Sequence, residues 1–243
     1  MPRYFLELSY MGKAYHGFQI QANAPTIQAA VESALKILLK TPIELTGSSR
    51  TDAGVHALQN YFHFDTALNL EQKQVYNLNA ILPADIAIQS IKQVAPTAHC
   101  RFDAISREYH YFIYTQKNPF LQDIGWHYPY ALNIELLNEA ADTLKKFTDY
   151  TSFAKRNTQV FTHQCEIQEA NWKQITPYQI QFTVRANRFL RGMVRGLVGT
   201  IAKVGRGIIS VEDFELILAA KDASKADFST PPQGLFLAKV IFP

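Results

Sequence analysis

Cysteine is nearly absent from this chain. Cys100 and Cys165 are the only two in 243 residues, so no disulfide framework can staple the fold. With neighbouring histidines, as His99-Cys100 and His163-x-Cys165, they could offer four zinc ligands. Adjacent His-Cys is poor ligand spacing, however, and a small thiol in a strand-like run is commonplace. No metal is expected. Long hydrophobic runs are missing too, so no segment is expected to cross a membrane. The N-terminus, Met1-Pro2-Arg3-Tyr4, leads straight into a strand-like pattern without the apolar segment of a secretory leader. A cytoplasmic protein is the expectation. There is no GxGxxG, no Walker A and no HExxH, so no cofactor is expected. There is no Gly/Ser linker either, and two modules would have to share an interface.

Acidic residues are absent from one long interval. Between Glu169 and Glu212 stand Lys173, Arg185, Arg188, Arg191, Arg195, Lys203 and Arg206, with no Asp or Glu among them. The net charge of +3 is too small to argue for nucleic acid by itself. A basic run without acidic neighbours is the local footprint of a phosphate-facing surface, although a solvated basic face would look the same.

The periodicity present is that of an α/β protein. Tyr4–Tyr10 alternates as a strand, with Tyr4, Leu6, Leu8 and Tyr10 on one face. Thr26–Lys40 is an amphipathic helix on Ile27, Val31, Ala34, Leu35 and Leu38. Ile43–Thr46 and Val55–Phe64 read as strands, Glu71–Ala80 as a helix, Ile86–Val94 and Arg107–Tyr114 as strands. A helix starts at Asn133, and Thr148–Arg156 is a loop. Gln164–Ile175 and Tyr178–Ala186 form a hairpin turned at Thr176-Pro177. Phe189–Val204 is predicted to be helical, with Arg188, Arg191 and Arg195 as a basic stripe and Gly192, Gly196 and Gly199 as another. Interior glycines cost about 1 kcal/mol each relative to alanine, so that helix should need a close neighbour. Ser210 caps a last helix, and Gly234–Phe242 is a closing strand.

One polar stretch lies between two strand-like runs: Gly47-Ser48-Ser49-Arg50-Thr51-Asp52-Ala53-Gly54-Val55-His56-Ala57. Strands fix the ends of such a loop, which makes it a place for catalytic groups. Asp52-Ala53-Gly54 predicts a tight turn with Gly54 at positive φ. Locally, a plain Asp turn with Arg50 as a solvated neighbour would explain it equally well.

Arg50-Thr51-Asp52-Ala53-Gly54-Val55-His56 nevertheless resembles the signature of the tRNA pseudouridine synthase A (TruA) family. Further motifs follow the family's order: Tyr10-x-Gly12-x-x-Tyr15-x-Gly17-Phe18-Gln19-x-Gln21, Arg107-x-Tyr109-x-Tyr111, Asn187-x-Phe189-Leu190-Arg191-Gly192-Met193-Val194-Arg195 and Gly234-Leu235-Phe236-Leu237. Met11, Phe18 and Ser49 depart from the usual Asp, Trp and Gly. The resemblance implies an α+β fold of two packed ferredoxin-like or RRM-like modules, here 1–100 and 101–243. Their mainly antiparallel sheets would form a central cleft, with helices on the outer faces. It implies an isomerase converting uridine to pseudouridine at positions 38 to 40 of the tRNA anticodon stem-loop, acting as a homodimer. Asp52 would be the nucleophile and Arg195 its counter-ion. Tyr109 would stack on the uracil, and Arg50 would fill the space the flipped base leaves. Thr51 and His56 are carried over as substrate contacts, and Arg188, Arg191, Lys203 and Arg206 as phosphate contacts. Two rival readings stay open: a non-catalytic RNA-binding factor on the same scaffold, and a carboxylate hydrolase. The hydrolase would need a second carboxylate that nothing near Asp52 in sequence supplies.

Overall fold

The computed structural model describes residues 1–155 and 160–243. The end of the expected loop at Arg156 lies outside the described residues. The chain divides into two compact units: Met1–Ile105 together with Phe236–Pro243, and Ser106–Leu235. Both are mixed α and β with mainly antiparallel strands, the expected α+β class. Among the described residues no helix is long and apolar enough to cross a membrane.

The first unit is built on β1 (Arg3–Tyr10), β3 (His56–Asp65), β4 (Ile86–Val94) and β9 (Leu235–Ile241), in the order β4-β1-β3-β9. A two-residue β2 (Thr46–Gly47) adds to β3. β1 lies antiparallel to both β3 and β4. β3 meets β9 in parallel, His56 opposite Phe236 and Ala57 opposite Leu237. Burial alternates along β1 as the sequence predicts, with Tyr4, Leu6, Leu8 and Tyr10 inside. Helix α1 (Ile27–Leu39) adds Ile27, Val31, Ala34 and Leu35 to the core. The Thr26 hydroxyl accepts the Ala29 N–H at its start, and Lys40 ends it in the left-handed region at φ 55°. Helix α2 (Lys73–Ile81) contributes Leu78.

One expected strand is mostly absent. Of Ile43–Thr46 only Thr46 enters the sheet. The Leu45 backbone is bonded instead to α1 side chains: its N–H to Glu32 Oε1 at 3.0 Å and its C=O to Gln28 Nε2 at 2.9 Å. Side chains thus satisfy the groups a strand partner would have taken.

The second unit has β5 (Ser106–Tyr114), β8 (Gln179–Ala186) and β7 (Ile167–Thr176) in that order, all antiparallel, with a short β6 (Trp126–His127) parallel to β5. Helix α3 (Ile134–Thr143) is capped by the Asn133 side chain. Helix α5 (Val211–Ala219) begins at a full capping box between Ser210 and Asp213.

Helix α4 (Met193–Gly205) corrects the sequence reading. It starts four residues later than the predicted Phe189. Gly192 stands at its N-cap with φ 73°, a conformation that a right-handed helix does not contain. Arg188 and Arg191 therefore lie in the turn before the helix, and only Arg195 is helical; the three do not form one stripe. The requirement for close neighbours holds at Gly196 and Gly199, the two glycines of the predicted stripe that are helical. A Cβ on Gly196 would come within 2.8 Å of the Phe228 ring, and one on Gly199 within 2.5 Å of the Asp227 carbonyl.

Candidate active site

In the first unit the Asp52 loop is held by backbone bonds and by a small buried polar network. Ser48 N–H donates to the Tyr61 carbonyl at 2.8 Å, continuing the short β2 pairing. Asn60, fully buried on β3, donates from Nδ2 to the Ser49 carbonyl at 2.8 Å and to the Tyr10 hydroxyl at 3.2 Å. That hydroxyl lies 2.8 Å from Thr51 Oγ1. Thr51 C=O accepts the Phe18 N–H at 3.1 Å, and Gly54 N–H donates to the Tyr15 carbonyl at 3.3 Å. The expected turn is present: Val55 N–H bonds to the Asp52 carbonyl at 3.2 Å with Gly54 at φ 78°.

The opening motif serves this loop through its glycines. A Cβ on Gly12 would lie 1.9 Å from the Val55 carbonyl oxygen, and one on Gly17 3.1 Å from the Thr51 carbonyl oxygen. Only a residue without a side chain lets the two backbones approach this closely. His56 completes the arrangement. It is fully buried, its Nδ1 accepts the Gly12 N–H at 3.0 Å, and its ring lies 4.6 Å from that of Phe236. His56, expected as a substrate contact, has no exposed surface, and its bond to the Gly12 N–H braces the loop. Asp52 itself is partly buried, whereas Arg50 is exposed.

Two of the three departures from the family pattern, Ser49 and Phe18, have local explanations. Ser49 does not occupy the left-handed region, so its position imposes no need for glycine. Phe18 is buried against Phe62, rings stacked at 4.5 Å. A phenyl ring there leaves no indole N–H to satisfy.

The second unit places the other expected residues. Tyr109 is partly buried on β5, edge-on to Phe189 at 5.1 Å. Arg195, in the first turn of α4, donates from Nε to the Thr230 carbonyl at 2.6 Å, which fixes the direction of its guanidinium. The segment Asp227–Gly234 also accepts the Tyr111 hydroxyl at the Pro231 carbonyl, 2.7 Å away. Burial holds the Tyr111 phenol well above its ordinary range, although Arg195 pulls the other way.

The acid-free interval is not acid-free in space. Arg185 Nη2 is 3.0 Å from Glu169 and its Nη1 3.7 Å from Glu108. Lys203 Nζ is 3.0 Å from Asp227 Oδ2. Arg206 lies over the Tyr130 ring at 3.8 Å and bonds to the Tyr128 hydroxyl at 3.3 Å. The two cysteines serve their own units. Cys100 Sγ lies 3.2 Å from both His63 Nδ1 and the Thr46 carbonyl. Burial pushes the Cys165 thiol up to about 11.

Sequence reasoning missed two features. Asn60 shares the strand parity of Phe62 and Phe64, both buried. A polar side chain at a core position was the available signal. The Asp227–Gly234 segment, which steers Arg195, carries no periodicity to announce it.

Comparison with known proteins agrees along the chain. The family model described as tRNA pseudouridine synthase matches residues 8–103 and 147–243. The tRNA pseudouridine synthase A of Parabacteroides distasonis is 45% identical, covering 100% of this chain and 97% of the relative. That of Bacteroides thetaiotaomicron is 43% identical over 100% of this chain and 91% of its own. That of Bacillus subtilis is 37% identical over 97% of each. This chain belongs to the tRNA pseudouridine synthase family.

Proposed function

We infer that this chain is an isomerase that converts uridine to pseudouridine in the anticodon stem-loop of tRNA, at positions 38 to 40. The observation that carries this reading is the Asp52 loop, complete in its residues and rigidly built, in a chain of this family. The reaction breaks the C1′–N1 bond and forms a C1′–C5 bond; the hydrogen on C5 leaves as a proton and N1 takes up a proton. It is redox-neutral and conserves the atoms of the base, so one ionised carboxylate is enough to begin it.

Asp52 is that nucleophile. Arg195 is assigned as its counter-ion through a charge-assisted hydrogen bond; the Thr230 carbonyl already engages the Arg195 Nε. Tyr109 stacks on the uracil. The target sits in a stacked stem-loop and must be flipped out, which costs a few kcal/mol; exposed Arg50, two residues from Asp52, fills the space left behind. Arg188 and Arg191, ahead of α4, are assigned as phosphate contacts together with Lys203 and Arg206; Lys203 also pairs with Asp227, and Arg206 lies over Tyr130. The active form is a homodimer in the cytoplasm.

Release of tritium from anticodon stem-loop RNA carrying 5-tritiated uridine tests the assignment. Asp52→Asn is expected to abolish release and to leave RNA binding within a few-fold of wild type. Appreciable turnover by this variant would remove Asp52 from the chemistry.

A further inference from the structure

A short loop ahead of β5, His99–Asp103, presents an aromatic side chain to solvent. Phe102 is 73% exposed. Its loop is nonetheless well fixed. His99 N–H donates to Asp103 Oδ2 at 2.7 Å, and the N–H groups of Arg101 and Phe102 both donate to His99 Nδ1, at 3.2 and 3.3 Å. The His99 ring lies against Phe102 at 4.2 Å, and the Arg101 guanidinium is 5.5 Å from its centroid. Beside this shelf is a cavity of about 270 Å³, lined by Gln19, Glu44, Arg50, His99, Arg101 and Phe102 among others. It falls just below the ~300–1,000 Å³ of ordinary ligand pockets, so it suits one flat ring system.

An exposed aromatic ring, a guanidinium next to it and a loop already in place make a stacking platform for an unpaired nucleobase. Arg50 lines the same cavity, which links the shelf to the Asp52 loop. We propose that Phe102 and Arg101 form a second nucleobase subsite, which takes the RNA nucleotide adjacent to the flipped uridine. Phe102 stacks on its base and Arg101 meets its phosphate. The subsite is a positioning device, because it holds the neighbouring nucleotide while Asp52 acts on the target. This proposal rests on the reading of the chain as a tRNA uridine isomerase.

The test uses the full-length protein and anticodon stem-loop RNA with 5-tritiated uridine, either intact or with one neighbour of the target replaced by an abasic nucleotide. Phe102→Ala is expected to weaken kcat/KM on intact RNA by on the order of tenfold, with thermal stability unchanged because the ring is exposed. Phe102→Trp should restore the rate, and Phe102→Leu should not. On the RNA whose stacked neighbour is abasic, Phe102→Ala and wild type should converge. Equal rates for Phe102→Ala and wild type on intact RNA would overturn the subsite while leaving the isomerase reading intact. So would a penalty that persists undiminished with every abasic RNA. A variant that alters the sedimentation of the free protein and not its RNA kinetics would instead assign Phe102 to a contact between copies. No tritium release by the wild type would overturn the isomerase reading and the subsite with it.

Discussion

The Asp52 loop and the basic interval around α4 were the two parts of the sequence that pointed to function, and the structure treats them differently. The loop is governed by backbone. Its carbonyls and N–H groups are bonded to Phe18, Tyr15, Tyr61 and Asn60, and two glycines let the opening motif lie directly on it. The basic interval is governed by side chains, and several of its cations already have partners: Arg185 with Glu169 and Glu108, Lys203 with Asp227, Arg206 with two tyrosines. A motif that depends on local backbone geometry can be read from a line of residues. A charged surface cannot be read in that way, because the neutralising groups come from distant parts of the chain.

The strongest test of the backbone side of this contrast is Gly12→Ala. The new Cβ would fall 1.9 Å from the Val55 carbonyl oxygen, so either the opening motif or the Asp52 loop must move. A loss of stability on the order of 3 kcal/mol is expected, with tritium release reduced to background; chemical denaturation and the isomerase assay check both. A fully active Gly12→Ala variant would show that the loop tolerates displacement.

Acid separates the two units. Burial is the main cause that lowers His63 from 6.5 to about 4, with His99 and Arg3 adding to it. Its neutral form is the folded one, so the unfolded chain binds more protons between about pH 6.5 and pH 4, and stability falls as pH falls through that window. The loss deepens steadily towards pH 4. Asp149, in the second unit, is held at about 2, chiefly by the Thr151 hydroxyl, with Lys221 helping. Its contribution is present above about pH 4 and disappears only as pH falls towards 2. Hydrogen exchange followed by mass spectrometry should therefore show β3 amides losing protection before those of β8 as the medium is acidified. His63→Gln should flatten the earlier phase.

Asn60→Ala examines the polar network under the loop. It strips partners from the Ser49 carbonyl and the Tyr10 hydroxyl, both bonded to Asn60 Nδ2. A cost of about 2 kcal/mol is expected, with kcat falling more than RNA affinity, since the network positions the Asp52 loop. The smallest effect belongs to Lys203→Ala. Its 3.0 Å pair with Asp227 is partly exposed, so the stability cost should stay under about 1 kcal/mol. The slope of RNA affinity against salt should change only slightly, because Asp227 already holds the ammonium.

Much of the fold was legible because its signals are local. The alternation of β1, the stripe and caps of α1, the span of β4 and the capping box of α5 each follow from neighbouring residues. The failures were competitions that local pattern does not show. Leu45 took hydrogen bonds from α1 side chains instead of a strand. Gly192 used its left-handed freedom to delay α4, which dispersed a basic stripe that existed only on a helical wheel. The pairing of β9 with β3 joins residues from opposite ends of the chain, and no periodicity encodes it. At the candidate site the Asp52 turn was readable from Gly54. The Thr230 carbonyl that aims Arg195 was not readable, because a backbone atom leaves no mark on the sequence.

The central claim is that this chain makes pseudouridine in the anticodon arm of tRNA, and a site-resolved pseudouridine map tests it most directly. Unmodified tRNA incubated with the purified protein should gain pseudouridine at positions 38 to 40 and nowhere else in the molecule. Unchanged uridine at all three positions, with the protein folded and bound to the tRNA, would contradict it.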